Sequence, residues 1–194
     1  MTIWITSDLH FSHKNILNFN PDTRPFRDVD HMNAEMIQIW NSQVQHDDTV
    51  YILGDFAFCN ANKATEIAAR LNGHKILVEG NHDTKLVANA DFRAQFVGIH
   101  KYLEVQHNGV LVCLFHYPIA EFNCQHRGAV HFHGHLHGAP SGLEKYRVMD
   151  AGMDATGNVV SDFDDMVKKA LKGQLKKHGY VESVIDNNGH KVSH

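Results

Sequence analysis

The sequence has few of the features that mark a secreted or membrane protein. Its 194 residues contain three cysteines, Cys59, Cys113 and Cys124, and no Cys-x-x-Cys pair. This spacing argues against a disulfide framework and against a zinc knuckle. No apolar run approaches the roughly 20 residues that cross a bilayer, and no basic segment followed by an apolar one opens the chain. We therefore expect a cytoplasmic protein that does not act at a membrane.

The chain also lacks internal repeats, low-complexity tracts and a recognisable linker. With 43% hydrophobic and 21% charged residues, it has the composition of a globular protein rather than a disordered one. The length predicts a single domain over residues 1–194 with a sizeable core. The formal net charge of −4 would repel polyanions, although two bound divalent cations would cancel it, so charge neither favours nor excludes nucleic acid.

Histidine, in contrast, is abundant. The chain has 17 histidines beside 18 lysines and arginines together. Imidazole is the commonest protein ligand of transition metals, so this number directs attention to metal binding.

The hydrophobic pattern predicts two different halves. Apolar runs at 2–6, 49–53 and 75–79 alternate with helical periods, which is typical of parallel βαβ units. We expect Asp30 and Asn60 to be the N-caps of these two helices. From residue 102 onward the long helices are missing, and Asn108-Gly109 predicts a hairpin. We expect this half to form a mainly antiparallel sheet behind the first. A last helix is expected from Ser161, followed by an edge strand over 180–185 and a loose end.

Side chains that bind metals follow five of the predicted strands. They are Asp8-x-His10, Gly54-Asp55, Gly80-Asn81-His82-Asp83, His116 and Gly134-His135-x-His137. Each motif alone is weak, since Gly, Asn and Asp are ordinary turn residues. Ligands in α/β sheets gather beyond the carboxyl ends of the strands, and one metal centre explains the whole recurrence.

These motifs, in this order over residues 8–137, resemble the signature of the calcineurin-like metallophosphoesterase superfamily. The opening Ser-Asp-Leu-His-Phe-Ser-His-Lys-Asn is most similar to the small bacterial and phage phosphoesterases of that superfamily. The resemblance implies the metallophosphoesterase fold, a four-layer α/β/β/α sandwich, which agrees with the two halves expected from the hydrophobic pattern.

The resemblance also implies the roles of the site residues. One ion would be held by Asp8, His10 and His137, and the other by Asn81, His116 and His135, with Asp55 bridging the two. The mixed donors suit two divalent transition-metal ions per chain, with manganese favoured and nickel, zinc or iron as alternatives. A water held between such ions as hydroxide can attack the phosphorus atom.

Four further residues are predicted to act on the substrate. His82 would stabilise the transition state or protonate the leaving group. Asp83 would orient His82 or raise its pKa, unless it is only a helix cap for the segment that begins at Thr84. Asn15 and Arg24 lie in loops at the site end and are predicted substrate contacts.

The expected activity is that of a dinuclear metal-dependent phosphoesterase, with a phosphodiesterase favoured. Residues 56–60 lack the Asp-Arg-Gly element of the protein Ser/Thr phosphatases, which favours a nucleotide, a cyclic nucleotide, another small phosphodiester or a nucleic-acid end as substrate. No obligate protein partner is expected. The alternatives are a phosphomonoesterase, a catalytically silent interaction module, and a metal-binding or storage protein that exploits its many histidines. His131, His133, His135 and His137 are spaced by two, but the first two fall within the predicted strand, where we expect them to pack.

Overall fold

The structure, a computed structural model, describes residues 1–176, 184–185 and 191–192. Its first sheet has the strand order β4-β3-β2-β1-β9, in which β1 to β4 are parallel and β9 is antiparallel to β1. The strands are β1 (Ile3–Thr6), β2 (Thr49–Ile52), β3 (His74–Val78), β4 (Gly98–His100) and β9 (Ser161–Asp162). The parallel half of the prediction is confirmed.

Seven α-helices connect or flank the strands in the described part of the chain. They are α1 (Ile16–Phe19), α2 (Val29–Gln43), α3 (Ala61–Ala69), α4 (Thr84–Val87), α5 (Ala90–Arg93), α6 (Met153–Thr156) and α7 (Phe163–Ala170). Asn60 caps α3 by accepting the Lys63 N–H, as expected. The cap of α2 is Asp28 rather than Asp30, because extended Asp28 accepts the His31 N–H. Likewise α7 is capped by Asp162 and begins two residues later than predicted.

The second sheet has the order β5-β6-β7-β8. Strands β5 (Leu103–His107) and β6 (Val110–Leu114) form the predicted hairpin, and both Asn108 and Gly109 have positive φ, as this tight turn requires. However, β7 (Val130–His133) and β8 (Val148–Asp150) run parallel to β6. The expectation of a mainly antiparallel sheet is therefore wrong, because the connections over 115–129 and 134–147 are long enough to return the chain to the same end.

Two apolar clusters hold the layers together. The first lies under the helices on one face of the parallel sheet and includes Trp40 and Met36 of α2 and Ile67 of α3. The second lies between the two sheets, where Ile5 and Phe132 are buried together with residues of α7. The molecule is thus an α/β sandwich of two sheets flanked by helices, as predicted.

Two small elements remain among the described residues, a 3-10 helix at Gln125–Arg127 and a two-stranded sheet. Val184–Ile185 (β10) pairs antiparallel with Lys191–Val192 (β11). The rest of the edge strand predicted over 180–185, and most of the expected loose end, lie outside the described residues. Among the described residues, no helix combines the length and the apolar character needed to cross a membrane.

Candidate metal centre

The carboxyl ends of five strands meet at one edge of the sandwich and bring the predicted ligands together. Asp8 and His10 follow β1, Asp55 follows β2 and Asn81 follows β3 in the first sheet. The second sheet contributes His116 after β6 and both His135 and His137 after β7. Ligand atoms of Asp8, His10 and His137 lie within 4.8 Å of one another, as do those of Asp8, Asp55 and His116.

Asp55 lies between the two groups. Its Oδ2 atom is 3.6 Å from His10 Nε2 and also 3.6 Å from His116 Nε2. The other oxygen, Oδ1, accepts the backbone N–H of His82 at 3.0 Å. Because that hydrogen bond fixes the rotation of the carboxylate, Oδ2 is directed between the two imidazoles.

The surroundings of His10 suit a metal ligand better than a packed histidine. Its side chain is buried, yet neither ring nitrogen has a hydrogen-bond partner among the described residues. Burial is the main cause that lowers the pKa of His10 well below its ordinary value, so the imidazole is neutral and offers a lone pair. An unpaired buried imidazole is costly, and coordination of a cation removes that cost.

His137 completes the first group through a carboxylate on its far side. Its Nδ1 is 2.7 Å from Asp154 Oδ2, while Nε2 is 3.8 Å from Asp8 Oδ1. Burial alone would lower the pKa of His137, but the hydrogen bond to Asp154 raises it. A carboxylate behind a metal-binding histidine fixes the tautomer and orients the other nitrogen to the ion.

In the second group, His116 and Asn81 form a close contact that is unfavourable unless a cation lies between them. His116 Nδ1 lies 2.7 Å from the carbonyl oxygen of Leu53 and must donate to it, and burial lowers the pKa of His116. With Nδ1 as the donor, a neutral ring presents its lone pair on Nε2, and this atom lies 2.9 Å from Asn81 Oδ1. His135 Nδ1 approaches the same oxygen at 3.1 Å. Two acceptors this close repel each other, whereas two ligands of one ion do not.

Backbone strain is concentrated at the same residues. Eight non-glycine residues of the described chain have positive φ, and five of them are predicted ligands. This conformation costs on the order of 1–3 kcal/mol per residue and persists where surrounding contacts enforce it, often at functional sites. The five are Asp8, His10, Asp55, His135 and His137.

The glycines of the motifs allow the loops to approach closely. A Cβ on Gly134 would lie 1.9 Å from Ser7 Oγ and 2.4 Å from Asp8 Oδ2. A Cβ on Gly80 would lie 2.3 Å from Asp55 Oδ1. The glycines before Asn81 and His135 are therefore required for packing against the carboxylates of neighbouring loops.

Burial also changes the acid chemistry of the centre. Desolvation raises the pKa of Asp8 to about 7, although the neighbouring His137 opposes the shift. Both oxygens of Asp8 accept the backbone N–H of His135, at 3.1 and 2.9 Å. Because a coordinating carboxylate must be ionised, metal binding here displaces a proton and is pH-dependent.

Asp83 differs from its predicted role. Its Oδ2 accepts the N–H groups of Asp55 and Gly80, each at 2.8 Å, and Oδ1 accepts the Phe56 N–H at 2.9 Å. Burial raises the pKa of this carboxyl. The prediction that Asp83 orients His82 is therefore corrected: the side chain joins the loops after β2 and β3. It precedes α4 but makes no side-chain cap.

Arg24 is not available to a substrate. Its side chain is fully buried, and Nε and Nη2 donate to Asp154 at 2.9 Å while Nη1 and Nη2 donate to the backbone carbonyls of Leu9 and Asp8. The predicted substrate contact is corrected, because every nitrogen of the guanidinium donates either to Asp154 or to a carbonyl of the loop after β1. Asn15 is exposed at the start of α1 and outside the cleft lining, so its predicted contact has no support from this geometry.

Histidines 131 and 133 do not extend the ligand set. Both are buried within β7, and His131 Nδ1 and Nε2 lie 3.0 and 3.2 Å from the carbonyl oxygens of Cys113 and Tyr117. Burial lowers the pKa of His131 to about 4. The expectation that His131 and His133 pack within the strand is confirmed, and only His135 and His137 of the four face the centre.

Sequence reasoning missed Asp154 and the aromatic rim of the centre. Asp154 follows β8 and contacts both His137 and Arg24. Asp154 lies in α6, four positions past the end of β8, so the strand-end pattern used for Asp55 did not point to it. Phe58 lies against His82 and His13, with ring centroids 5.3 and 4.4 Å apart, and nothing local indicated that these rings would meet.

His82 lies at the mouth of the centre. Its side chain is 40% exposed, and Nε2 is 3.9 Å from Asp55 Oδ2. A cavity of ≈ 240 Å³ above the ligands is lined by His82, Asn81 and residues of the first loop, including His13 and Phe19. A molecule in this cavity would meet both the metal ligands and His82.

Comparisons with known proteins identify relatives over most of the chain. An uncharacterized protein of Methanocaldococcus jannaschii is 34% identical over 137 residues, covering 70% of this chain and 69% of its own. The gene 66 protein of Mycobacterium phage L5 is 27% identical over 190 residues, covering 81% and 89%. No family model matches.

One solved structure is similar across nearly its whole length. The structure of a protein of unknown function from Aquifex aeolicus superposes with a TM-score of 0.68 and 27% identity, covering 86% of this chain and 98% of that one. At 34% identity over about two thirds of both chains, the chain belongs to the family of the M. jannaschii protein.

Proposed function

We propose that this protein is a dinuclear metal-dependent phosphoesterase that acts as a phosphodiesterase on a nucleotide, a cyclic nucleotide or another small phosphodiester. The observation that carries the proposal is the position of Asp55 Oδ2, equally distant from His10 Nε2 and His116 Nε2 at 3.6 Å. One carboxylate oxygen between two imidazoles from different sheets is suited to bridging two cations. Manganese is the favoured ion.

The residues divide the ions between two groups. Asp8, His10 and His137 would hold one, and Asn81, His116 and His135 the other. Two such ions supply an activated water and neutralise the charge of the phosphoryl oxygens. Because the ions provide the nucleophile, the proposal needs no serine or cysteine in that role.

His82 is the protein group proposed to act on the substrate directly. It is the only predicted site histidine that is both substantially exposed and outside the two ligand groups. At the mouth of the cavity, its imidazole can donate to a phosphoryl oxygen or protonate the departing alkoxide. Its backbone N–H meanwhile holds Asp55 in place, so the position of His82 is coupled to that of the bridging carboxylate.

The experiment compares hydrolysis of bis-p-nitrophenyl phosphate with that of p-nitrophenyl phosphate. Protein stripped with a chelator receives Mn²⁺, Ni²⁺, Zn²⁺ or Mg²⁺ singly, and bound metal is counted by mass spectrometry. We expect about two ions per chain, and faster turnover of the diester with a transition metal. A preference for the monoester would redirect the function to a phosphomonoesterase.

A control variant at a surface histidine separates the effect of losing His82 from the effect of losing any exposed histidine. His74 is an exposed histidine at the amino end of β3, the strand that leads to His82 at the opposite end. His74→Ala should keep both the metal content and the turnover of the unmodified protein. His82→Ala should keep the metal content but lose turnover. Two bound ions without turnover of either ester would favour a catalytically silent member of the superfamily.

A further inference from the structure

A second cavity adjoins the centre and is not used by the chemistry proposed above. It has a volume of ≈ 460 Å³ and shares Asn81 and His82 with the cavity over the ligands. The residues that it does not share come from the segment after β2 and from α4. They are Ala57, Phe58, Cys59, Thr84, Lys85 and Leu86.

Phe58 lines the second cavity and packs against His13 and His82, which line the first. Its ring contacts His13 at 4.4 Å and meets the His82 ring at 5.3 Å in an edge-on arrangement of 72°. The side chain nevertheless remains 50% exposed, one of the larger exposures of an apolar residue in the described chain. Exposing half of a phenyl ring to water is unfavourable, and the cost is recovered when a flat group covers the ring.

The polar groups around Phe58 suit an anionic ligand. The cavity lining contains no carboxylate, and Lys85 is its one permanently charged side chain. Lys85 is exposed and makes no ion pair within the described residues. The Asn81 amide and the Thr84 hydroxyl also reach the lining and can donate or accept hydrogen bonds. A lipid tail could not form hydrogen bonds with these groups, whereas the polar edge of a heterocycle could.

We propose that this cavity, with Phe58 as its stacking surface, binds the nucleobase of a substrate whose phosphate lies at the metal centre. The inference rests on the proposed function and narrows its substrate class to nucleoside phosphates and phosphodiesters. Two observations support it: the cavity shares Asn81 and His82 with the cavity over the ligands, and at ≈ 460 Å³ it is far larger than a phosphate group needs. Stacking on a protein aromatic ring stabilises a bound base and tolerates differences in base identity.

The test measures binding rather than turnover. Calorimetric titration of Mn²⁺-loaded protein with adenosine 5′-monophosphate and with ribose 5-phosphate isolates the contribution of the base, because both ligands carry the same sugar phosphate. Product analysis confirms that each ligand remains intact. We expect adenosine 5′-monophosphate to bind about tenfold more tightly or better, the order expected of one stacked base.

Three variants locate the effect. Phe58→Ala should bring the two affinities within about twofold of each other while leaving that of ribose 5-phosphate unchanged, which also shows that the variant is folded. Phe58→Tyr should keep the preference for the nucleotide. Val97→Ala, which shortens a still more exposed apolar residue beside the amino end of β4, should behave as the unmodified protein.

The results also separate this proposal from the proposed function. Equal affinity for the two ligands, an unchanged preference in Phe58→Ala, or no binding of either ligand would overturn the base site. Nucleotide preference that depends on Phe58 supports the base site even if no ester is hydrolysed. If the protein hydrolyses bis-p-nitrophenyl phosphate but does not prefer the nucleotide over ribose 5-phosphate, the phosphoesterase function stands and the base site is refuted.

Discussion

Replacing Asp83 by alanine should destabilise the metal-free protein, although the residue does not contact a predicted ligand side chain. The carboxylate receives three backbone N–H groups, those of Asp55, Phe56 and Gly80. These groups come from the loops after β2 and β3, which carry Asp55 and Asn81. Asp83 is therefore the main polar connection between two loops that must both be placed for the metal centre to form.

The size of the effect follows from the number of groups that lose a partner. Each buried N–H left unpaired costs about 1–3 kcal/mol, so the three together predict a loss of at least about 3 kcal/mol. Burial raises the pKa of Asp83 because its charge is costly to desolvate. The alanine variant no longer has this cost, so we expect a loss near the low end of the range for three unpaired N–H groups. For a chain of this length the loss corresponds to a fall in Tm of about 6 °C or more.

Urea unfolding of chelator-treated protein measures this loss without the stabilisation that bound metal would add. Asp83→Asn retains one acceptor oxygen and should lose less than the alanine variant. Asp47→Ala, which removes an exposed aspartate near the amino end of β2, should change the free energy of unfolding by less than about 0.5 kcal/mol. With metal returned, Asp83→Ala should also bind the ions more weakly.

If Asp83→Ala lowers the free energy of unfolding by less than about 1 kcal/mol, and its slope against urea concentration is unchanged, the result refutes this reasoning. It would mean that the three N–H groups find other partners or are open to water. Normal stability and metal content with abolished turnover would instead restore the sequence-based role of Asp83 beside His82.

Three further substitutions test the centre. His82→Ala should lower turnover by about 10²- to 10⁴-fold with metal content unchanged by mass spectrometry; loss of metal would make His82 a ligand. Asp55→Ala should lose metal and activity together, and retention of both ions would show that the bridging assignment is wrong. Arg24→Met should cost about 3–5 kcal/mol in urea unfolding, because it removes the buried guanidinium that pairs with the carboxylate of Asp154. A raised KM with unchanged stability would instead support the predicted substrate contact.

Much of this fold could be read from local patterns. Apolar runs separated by helical periods predicted the parallel strands β1 to β3, and the Asn108-Gly109 turn predicted the hairpin. Both signals are local, because side-chain periodicity and turn conformation depend on residues close in the chain. The positions of the predicted ligands after these runs were also visible, since a strand that ends at a sheet edge exposes its next residues there.

The direction of β7 and β8 could not be read in the same way. A short buried strand has the same sequence character whichever way it runs, so only the path of the long connections decides it. The parallel arrangement has a consequence for the site, because it delivers His116 and His135 to the same edge as Asp8 and Asp55.

The sequence by itself determined the strands of the parallel sheet and the residue types at their ends. Tertiary structure decided what each charged group does. Arg24 and Asp154 are separated by 130 positions, yet they form one buried pair behind His137, and Asp83 binds backbone groups that no pattern connects to it. A buried charge must find its partner wherever the fold brings one near, and distance along the chain says nothing about that meeting.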